Sequence, residues 1–240
     1  MSIALTQVAA PGNQILTGLS PAKYPQLFSN LKLVKLTDHQ VLYHAGDVLR
    51  NAYFMTSGMA SLLCTTSEGE SMEVANIGKE GVVGIPLILR QRKAPHEIVI
   101  QIAGEALMIR ADILKEEFEK DGELRGKLLG YTYVLATYMS QLGLCNHFHS
   151  LERRLCRWLL ITSHQVRSET FHLTHETLSQ VLGTSRAAVT MAANNIQRQG
   201  LIRHHRGQIT ILDSSGLEEM SCACYRIIKK LLKHSSKIRY

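Results

Sequence analysis

The chain has 240 residues, of which 45% are hydrophobic and 20% charged, a composition typical of an ordinary globular protein rather than a disordered or fibrous one. Its longest nearly uncharged apolar stretch, at 82–89, is far shorter than the roughly 20 residues of a membrane-spanning helix, so we expect no membrane segment. The N-terminus does not have the basic-then-apolar layout of a signal peptide. Five scattered cysteines do not form a disulfide scaffold, so a cytoplasmic protein with reduced thiols is expected.

Charge is distributed unevenly along the chain. Residues 1–150 contain 13 Lys and Arg against 14 Asp and Glu, a net charge of −1. Residues 151–240 contain 14 against 6, a net charge of +8, together with six of the eleven histidines. This asymmetry predicts a nucleic-acid or anionic-surface module joined to a neutral domain. A basic surface that only keeps the protein in solution is the alternative.

The first half of the chain has the pattern of an antiparallel β domain. From residue 31 to about residue 109, short β-type runs are separated by turns such as Ala45-Gly46-Asp47, Ser57-Gly58 and Gly104-Glu105. Strands with a turn at such short intervals indicate a sandwich or barrel. A short helix is expected around Pro21–Asn30, and a second one is expected to begin with Asp112 as its N-cap.

The longest periodic segment predicts a long helix with one apolar seam. Apolar residues recur there at alternating spacings of four and three for three heptads. A seam this regular favours pairing with a partner helix in a symmetric homodimer. A long helix packed on its own domain is the alternative. The seam, and thus the predicted dimer interface, consists of Leu124, Leu128, Tyr131, Leu135, Tyr138, Leu142 and Cys145.

The basic C-terminal part contains a helix-turn-helix pattern. Thr174 is the expected N-cap of a first short helix, Gly183 its end and Ser185 the cap of a second helix that runs to Gly200. Two short helices joined by a tight turn with glycine are typical of a DNA-binding motif. The second helix is expected to bury Ala188, Val189, Ala192 and Ile196. Its other face, free to enter a major groove, consists of Arg186, Ala187, Thr190, Met191 and Asn194.

A basic hairpin is predicted directly after these helices. Arg203-His204-His205-Arg206-Gly207-Gln208 precedes the alternating Ile209 and Ile211, which is the pattern of the wing in a winged helix. Its cations would lie against DNA phosphates, where charge supplies affinity but little sequence information. The DNA contacts are therefore expected from Thr174, Thr184, Ser185, Arg186, Ala187, Thr190, Asn194, Arg203, His205 and Arg206.

Taken together, these features resemble the Crp/Fnr superfamily of bacterial transcription regulators. The resemblance spans Leu31 to Tyr225 and rests on Ala45-Gly46-Asp47, Tyr53-Phe54, Ser57-Gly58, the Gly78–Gly84 run, the long helix at 124–146 and the helix-turn-helix at Leu173–Ile202. It implies an α+β fold: an N-terminal antiparallel β-roll of the cyclic-nucleotide-binding kind (1–122), a dimerisation helix (123–149) and a C-terminal winged helix-turn-helix domain (150–240). It also implies a homodimer in which an effector in the β-roll repositions the DNA-binding domains.

Several residues depart from the pattern of the family. Cyclic-AMP-responsive members have Gly-Glu followed by Arg-Ser, whereas this chain has Gly78-Lys79 and Ala94-Pro95, which cannot grip a cyclic phosphate in the usual mode. Residues 1–63 contain no cysteine, so no iron–sulfur cluster of the oxygen-sensing kind is expected. In the recognition helix, Ala187 and Met191 stand where members of the family often have Glu and Arg. This difference predicts an operator whose sequence differs from the family consensus. The effector is unidentified, and an anionic ligand stays an alternative because Lys79, Arg92 and Lys93 are cations near this site. The pocket is expected to involve Gly78, Lys79, Glu80, Gly81, Lys93 and Ala94.

Two cysteine-containing segments are candidates for metal or redox sites. Cys145-Asn-His147-Phe-His149 is interpreted as a seam residue with polar hinge residues, and Cys222-Ala-Cys224, which lacks a second ligand pair, as small buried thiols. A metal or sensing role is the alternative for each, and no metal is expected. The chain has no recognisable catalytic motif, so an enzyme is not expected.

The partners expected from this resemblance are double-stranded DNA with an inverted-repeat operator and a second copy of the chain. If the protein is an activator, RNA polymerase is also expected. The alternative function is a ligand-binding regulatory subunit that acts on a protein partner.

Overall fold

The computed structural model describes residues 12–234, which form a β domain, one long helix and a C-terminal domain of helices with a small sheet. The strands are Lys32–Leu36 (β1), Val41–Tyr43 (β2), Asn51–Met55 (β3), Met59–Thr65 (β4), Ser71–Ile77 (β5), Val82–Val83 (β6), Glu97–Ile102 (β7), Gly104–Arg110 (β8), Thr170–His172 (β9), Ile202–His205 (β10) and Gln208–Ile211 (β11). The helices are Pro25–Asn30 (α1), Ile85–Ile88 (α2), Ala111–Glu119 (α3), Glu123–Phe148 (α4), Leu151–Val166 (α5), His175–Leu182 (α6), Arg186–Arg198 (α7), Ser214–Met220 (α8) and Cys224–His234 (α9). The predicted α+β architecture is confirmed.

Two four-stranded antiparallel sheets build the β domain. Their strand orders are β1-β8-β3-β6 and β2-β7-β4-β5, so strands distant in sequence are paired. The core includes Phe54 and Ile100, which are fully buried. At the turn after β3, Gly58 has a φ of +71°, and a Cβ there would lie 2.5 Å from the Ile102 carbonyl oxygen. Only glycine fits at this position, and the turn predicted at Ser57-Gly58 is confirmed.

The helix after β8 begins earlier than its sequence indicates. Ala111 is its first residue and Arg110 its N-cap, so Asp112 lies inside the first turn. The Asp112 carboxylate pairs with the Arg110 guanidinium, and its Oδ1 accepts from the adjacent Ile113 N–H at 3.0 Å. An ion pair with Arg110, two residues earlier, therefore engages the carboxylate that was expected to cap the helix, and the prediction of Asp112 as N-cap is wrong.

Helix α4 packs against its own chain through the predicted seam. The seven seam residues are 0 to 9% exposed; they are Leu124, Leu128, Tyr131, Leu135, Tyr138, Leu142 and Cys145. The Tyr138 hydroxyl, for example, donates to Oδ1 of Asn76 on β5 at 3.0 Å. Side chains already buried in this way are unavailable to a partner helix, so the assignment of this seam to a dimer interface is wrong. These residues instead fit the alternative prediction, a long helix packed on its own domain.

The opposite side of α4 is exposed and still uncharged. Residues 128–148 contain no Asp, Glu, Lys or Arg, and Tyr133, Leu144 and Phe148 are 63, 48 and 69% exposed. Large apolar side chains aligned on an exposed helix are typical of an interaction surface. We call this surface the outer face; its residues are Leu129, Tyr133, Ala136, Ser140, Gly143, Leu144 and Phe148.

The C-terminal domain surrounds the helix pair α6–α7. A three-stranded antiparallel sheet, in the order β10-β11-β9, lies beside it, and α5 packs on α7 and α8. Trp158 on α5 is 1% exposed and anchors this domain on the β domain, because its indole donates to Glu73 Oε1 of β5 at 2.9 Å.

Across residues 12–234, the helices are either too short or too polar to pass through a bilayer.

Candidate DNA-binding interface and effector pocket

Local signals set helix α6 and the turn that follows it. Oγ1 of Thr174 accepts from the Thr177 N–H at 3.0 Å, which makes Thr174 the N-cap. Gly183 ends the helix with a φ of +58°. The Arg154 guanidinium donates to the Leu182 carbonyl and so satisfies one of the terminal acceptors. The predicted cap and the predicted end of this helix are confirmed.

Helix α7 has one buried and one exposed side. Oγ of Ser185 accepts from the Ala188 N–H at 3.2 Å, which confirms Ser185 as the cap. The buried side contains Val189, Ala192, Ala193 and Ile196. The exposed side contains Arg186, Ala187, Met191 and Asn194. A helix supported on one side and open on the other, with its N-terminus at the surface, is the form that enters a major groove.

Thr190 is engaged within the protein. Its hydroxyl donates to the Arg186 carbonyl at 2.9 Å and lies 2.9 Å from Nδ1 of His175, the first residue of α6. The His175 ring stacks on the ring of His204 in β10, with centroids 4.1 Å apart. Desolvation lowers the pKa of both histidines, and each also faces another cationic group. Thr190 therefore links α7 to α6, and the stacked rings link α6 to the wing.

Strands β10 and β11 form the predicted wing. Their connection is the two-residue loop Arg206-Gly207, with φ values of +47° and +76°. Positive φ at both central residues is the signature of a tight hairpin turn. Arg203, His205 and Arg206 are exposed on it. The wing is thus a tight hairpin that carries cations at its tip.

The ten residues predicted to contact DNA differ in accessibility. Exposed are Ser185, Arg186, Ala187, Asn194, Arg203, His205 and Arg206. Half-buried are Thr174, Thr184 and Thr190. All ten belong to α6, α7, their flanking turns or the wing, and the whole surplus of positive charge lies in residues 151–240.

A cavity of about 150 Å³ lies between the β domain and α4. Nearly all of its lining is apolar, and Leu135 and Met139 of α4 close one side. His96 is the exception: its Nδ1 is buried without a hydrogen-bond partner among the described residues, and burial lowers its pKa. The remaining lining residues are Leu62, Ile77, Val82, Val83, Gly84, Ile85, Pro86, Pro95 and Ile98.

None of the six predicted effector-pocket residues lines this cavity; they are Gly78, Lys79, Glu80, Gly81, Lys93 and Ala94. The Glu80 carboxylate is buried and accepts from the Gly78 N–H and from Gln165 Nε2 of α5, each at 2.8 Å. At Gly81, a Cβ would lie 2.1 Å from the Tyr131 hydroxyl oxygen. This loop is therefore occupied by packing against α4 and α5, which is the physical reason that it does not face the cavity.

Three of the contacts that join the β domain to the C-terminal domain involve β5 or the loop after it. Two are buried hydrogen bonds, from Trp158 to Glu73 and from Gln165 to Glu80. Glu73 also accepts from Ser61 and Asn76, and burial raises the pKa of its carboxyl. The third is the close approach of the turn between α6 and α7 to Met72 on β5. The cavity-lining Ile77 lies on the same strand, between the two glutamates.

Comparison with known proteins matches both halves of the chain. A cyclic nucleotide-binding domain matches residues 33–121, and a Crp-like helix-turn-helix domain matches residues 153–220. The transcriptional regulator SdrP of Thermus thermophilus is 26% identical over 204 residues, which cover 75% of this chain and 93% of that protein.

Solved structures share the fold. A transcriptional regulator of the Crp/Fnr family from Eubacterium rectale has a TM-score of 0.68 at 21% identity, covering 84% of this chain and 94% of its own. FixK2 from Bradyrhizobium japonicum has a TM-score of 0.68 at 15% identity, covering 80% and 98%.

A cyclic nucleotide-binding domain followed by a winged helix-turn-helix defines a DNA-binding transcription regulator. The chain belongs to the Crp/Fnr family of these regulators, which confirms the resemblance found in its sequence.

Sequence reasoning missed two groups of residues. Residues 82–86 line the cavity, but in the sequence they stand out only as part of the Gly78–Gly84 run and of an apolar stretch too short to cross a membrane. The Glu73–Trp158 contact was also missed. Glu73 is the single charged residue of its strand, which is the one local signal of this contact, and its partner Trp158 is 85 residues away.

Proposed function

We propose that the protein is a homodimeric, sequence-specific regulator whose winged helix reads an inverted-repeat operator and whose β domain responds to a small apolar effector. The observation that carries this proposal is the exposed side of α7, where Arg186, Ala187, Met191 and Asn194 stand free beside a basic wing. A protein of this kind acts where the chromosome is, in the cytoplasm.

Base recognition is assigned to the N-terminal end of α7. Arg186 is exposed there, and its planar guanidinium suits the O6 and N7 acceptors of guanine. Ala187 and Met191 have no hydrogen-bonding group for a base, so Arg186 is the main source of specificity, with Ser185 and Asn194 beside it. Arg203 and Arg206 on the wing contribute phosphate contacts.

The dimer is assigned to the outer face of α4. Its exposed aromatic and leucine side chains form an apolar surface of the kind that a partner protein buries. The small residues Ala136, Ser140 and Gly143 leave room for the close approach of a second helix. A second copy presents the same face and completes a symmetric interface. Two recognition helices related in this way read half-sites ~10–10.5 bp apart, or a multiple of that spacing.

The effector is assigned to the apolar cavity. A volume of about 150 Å³ equals that of an engineered protein cavity that holds benzene, and it is well below the about 300–1,000 Å³ of ordinary ligand clefts. The ligand is therefore a small apolar molecule with one polar group directed at His96. Cyclic AMP in the usual mode and an N-terminal iron–sulfur cluster are not part of this proposal.

Effector binding reaches the DNA-binding domain through β5 and the loop after it. A ligand that displaces Ile77 or Val82 moves the segment that holds Glu73 and Glu80, and these carboxylates hold Trp158 and Gln165 of α5. Two arrangements of α5 on the β domain would then differ in how they present α7.

The alternative, a regulatory subunit that acts on a protein, leaves the basic wing and the exposed side of α7 without a use. RNA polymerase is a further partner if the protein activates transcription.

The proposal is tested by selecting bound duplexes from a random pool with the purified protein and measuring affinity as a function of salt. An enriched inverted repeat, bound with an affinity that falls steeply as salt rises, is expected. Weak binding to all duplexes alike contradicts sequence-specific recognition. Calorimetry with cyclic AMP and with small phenols tests the effector class: sub-micromolar binding of cyclic AMP contradicts it.

A further inference from the structure

Four metal-binding side chains from two distant parts of the chain meet beside the C-terminal end of α4. Cys145 is in the last turn of α4, and His149 directly follows this helix. Cys222 precedes α9, and Cys224 is the first residue of α9. The three thiols are buried and His149 is half-buried. The Cys-x-Cys pair therefore receives the second ligand pair that it lacks in sequence.

The spacing of the four ligand atoms fits one ion. They all lie within 4.8 Å of one another, with Cys145 Sγ 3.4 Å from Cys222 Sγ and Cys224 Sγ 3.6 Å from His149 Nδ1. Tetrahedral zinc with Zn–S of about 2.3 Å and Zn–N of about 2.0–2.1 Å places neighbouring ligand atoms about 3.5–3.8 Å apart. Binding would thus need the longest of these distances to shorten by at most about 1.3 Å and the Cys145–Cys222 distance to widen slightly.

The surroundings favour a site with negative ligands. Arg157 on α5 is 2% exposed, and its Nε and Nη1 have no hydrogen-bond partner among the described residues. Its guanidinium is close enough to interact electrostatically with Cys145 and Cys222. Three thiolates and one Zn²⁺ carry a net charge of −1, which together with the buried Glu73 carboxylate would offset this buried cation. Gln141 Nε2 already lies 3.1 Å from Cys224 Sγ, as a donor to a coordinating thiolate would.

We propose that Cys145, His149, Cys222 and Cys224 form a Cys₃His site for a single zinc ion. The ion joins the end of α4 to the beginning of α9 and so fixes the C-terminal helix of the DNA-binding domain on the helix that leads out of the β domain. All four tetrahedral positions are taken by protein atoms, so the site is closed and structural rather than catalytic.

The first experiment measures metal in the full-length protein, purified under a reductant that does not bind metals. About one zinc per chain is expected, by elemental analysis. After removal of zinc, added Co²⁺ should give the visible absorption of a tetrahedral thiolate site. The paired substitution Cys222→Ser with Cys224→Ser should abolish both signals. Cys64→Ser is the matched control, since Cys64 is exposed and outside the cluster, and it should keep both.

The second experiment uses the wild-type protein alone, so it does not depend on the folding of a variant. Cysteines are alkylated under native conditions before and after removal of the metal, and each position is followed by mass spectrometry. Cys64 should react equally in both samples, whereas Cys145, Cys222 and Cys224 should become reactive only after the metal is removed.

Equal labelling of the three cysteines in both samples overturns the proposal, as does a protein that neither contains nor takes up zinc. Iron accompanied by acid-labile sulfide overturns the assignment to a single zinc ion. None of these measurements involves DNA, so their failure is independent of the proposed operator recognition.

Discussion

The winged helix and the β domain differ in how freely they present the residues that the sequence singles out. In the winged helix, Arg186 and Arg206 are exposed on elements whose ends are set by nearby residues such as Thr174 and Gly183. In the β domain, the glycine-rich loop at 78–81 is occupied by contacts with α4 and α5. Local signals therefore define the DNA-binding surface, whereas long-range packing decides what the effector domain can bind.

The largest expected effect separates the two sides of α4, which lies between these regions. Leu142→Ala removes a side chain that is 2% exposed, so the unfolding free energy should fall by about 2–5 kcal/mol. Leu144→Ala, two residues away and 48% exposed, should change the stability of the monomer by about 0.5 kcal/mol or less. It should instead weaken dimerisation. Chemical denaturation and analytical ultracentrifugation measure the two effects, and an unfolding loss equal for both variants would contradict the assignment of the two sides.

A smaller effect is expected where long-range packing couples the domains. Glu73→Leu leaves the Trp158 indole and the Asn76 amide without their acceptor, which should cost about 1–3 kcal/mol of unfolding free energy. Glu73→Gln keeps an oxygen for both donors and does not bury a carboxyl, so it should cost less. Denaturation of both variants at neutral pH checks this order. Equal losses would mean that the charge of Glu73, rather than its acceptor geometry, holds the domains together.

The sequence predicts most of the winged helix and less of the β domain, for one physical reason. The caps Thr174 and Ser185, and the hairpin turn at Arg206-Gly207, depend on neighbours within a few residues. The contacts of Glu73 with Trp158 and of Cys145 with Cys222 join positions about eighty residues apart, and no local pattern encodes them. The seam of α4 has the predicted period, but it is covered by its own chain and not by a partner helix. Periodicity identifies an apolar side of a helix and not what covers it.

The smallest effect concerns pH and the winged helix. Burial lowers the pKa of His175 and His204, so below about pH 6.5 the unfolded chain takes up protons that the folded chain resists. Stability should therefore be full above this pH and decline as the pH falls. His204→Gln should reduce the decline, whereas His205→Gln, which removes only the weaker cause of the lowered pKa of His204, should reduce it less. Thermal unfolding between pH 5 and pH 8 provides the comparison; identical pH dependence in all three proteins would exclude the stacked pair as its source.

The central claim, that α7 reads bases while the wing supplies charge, is tested most directly by repeating the selection of bound duplexes with Arg186→Ala and Arg206→Ala. Both residues are exposed arginines of the same domain, so each is the matched control of the other. Arg186→Ala should cost about 1–3 kcal/mol per half-site and relax the preference at one base pair of each half-site. Arg206→Ala should keep the wild-type motif, weaken all duplexes alike and flatten the dependence on salt. A wild-type motif retained by Arg186→Ala and altered by Arg206→Ala would contradict the account.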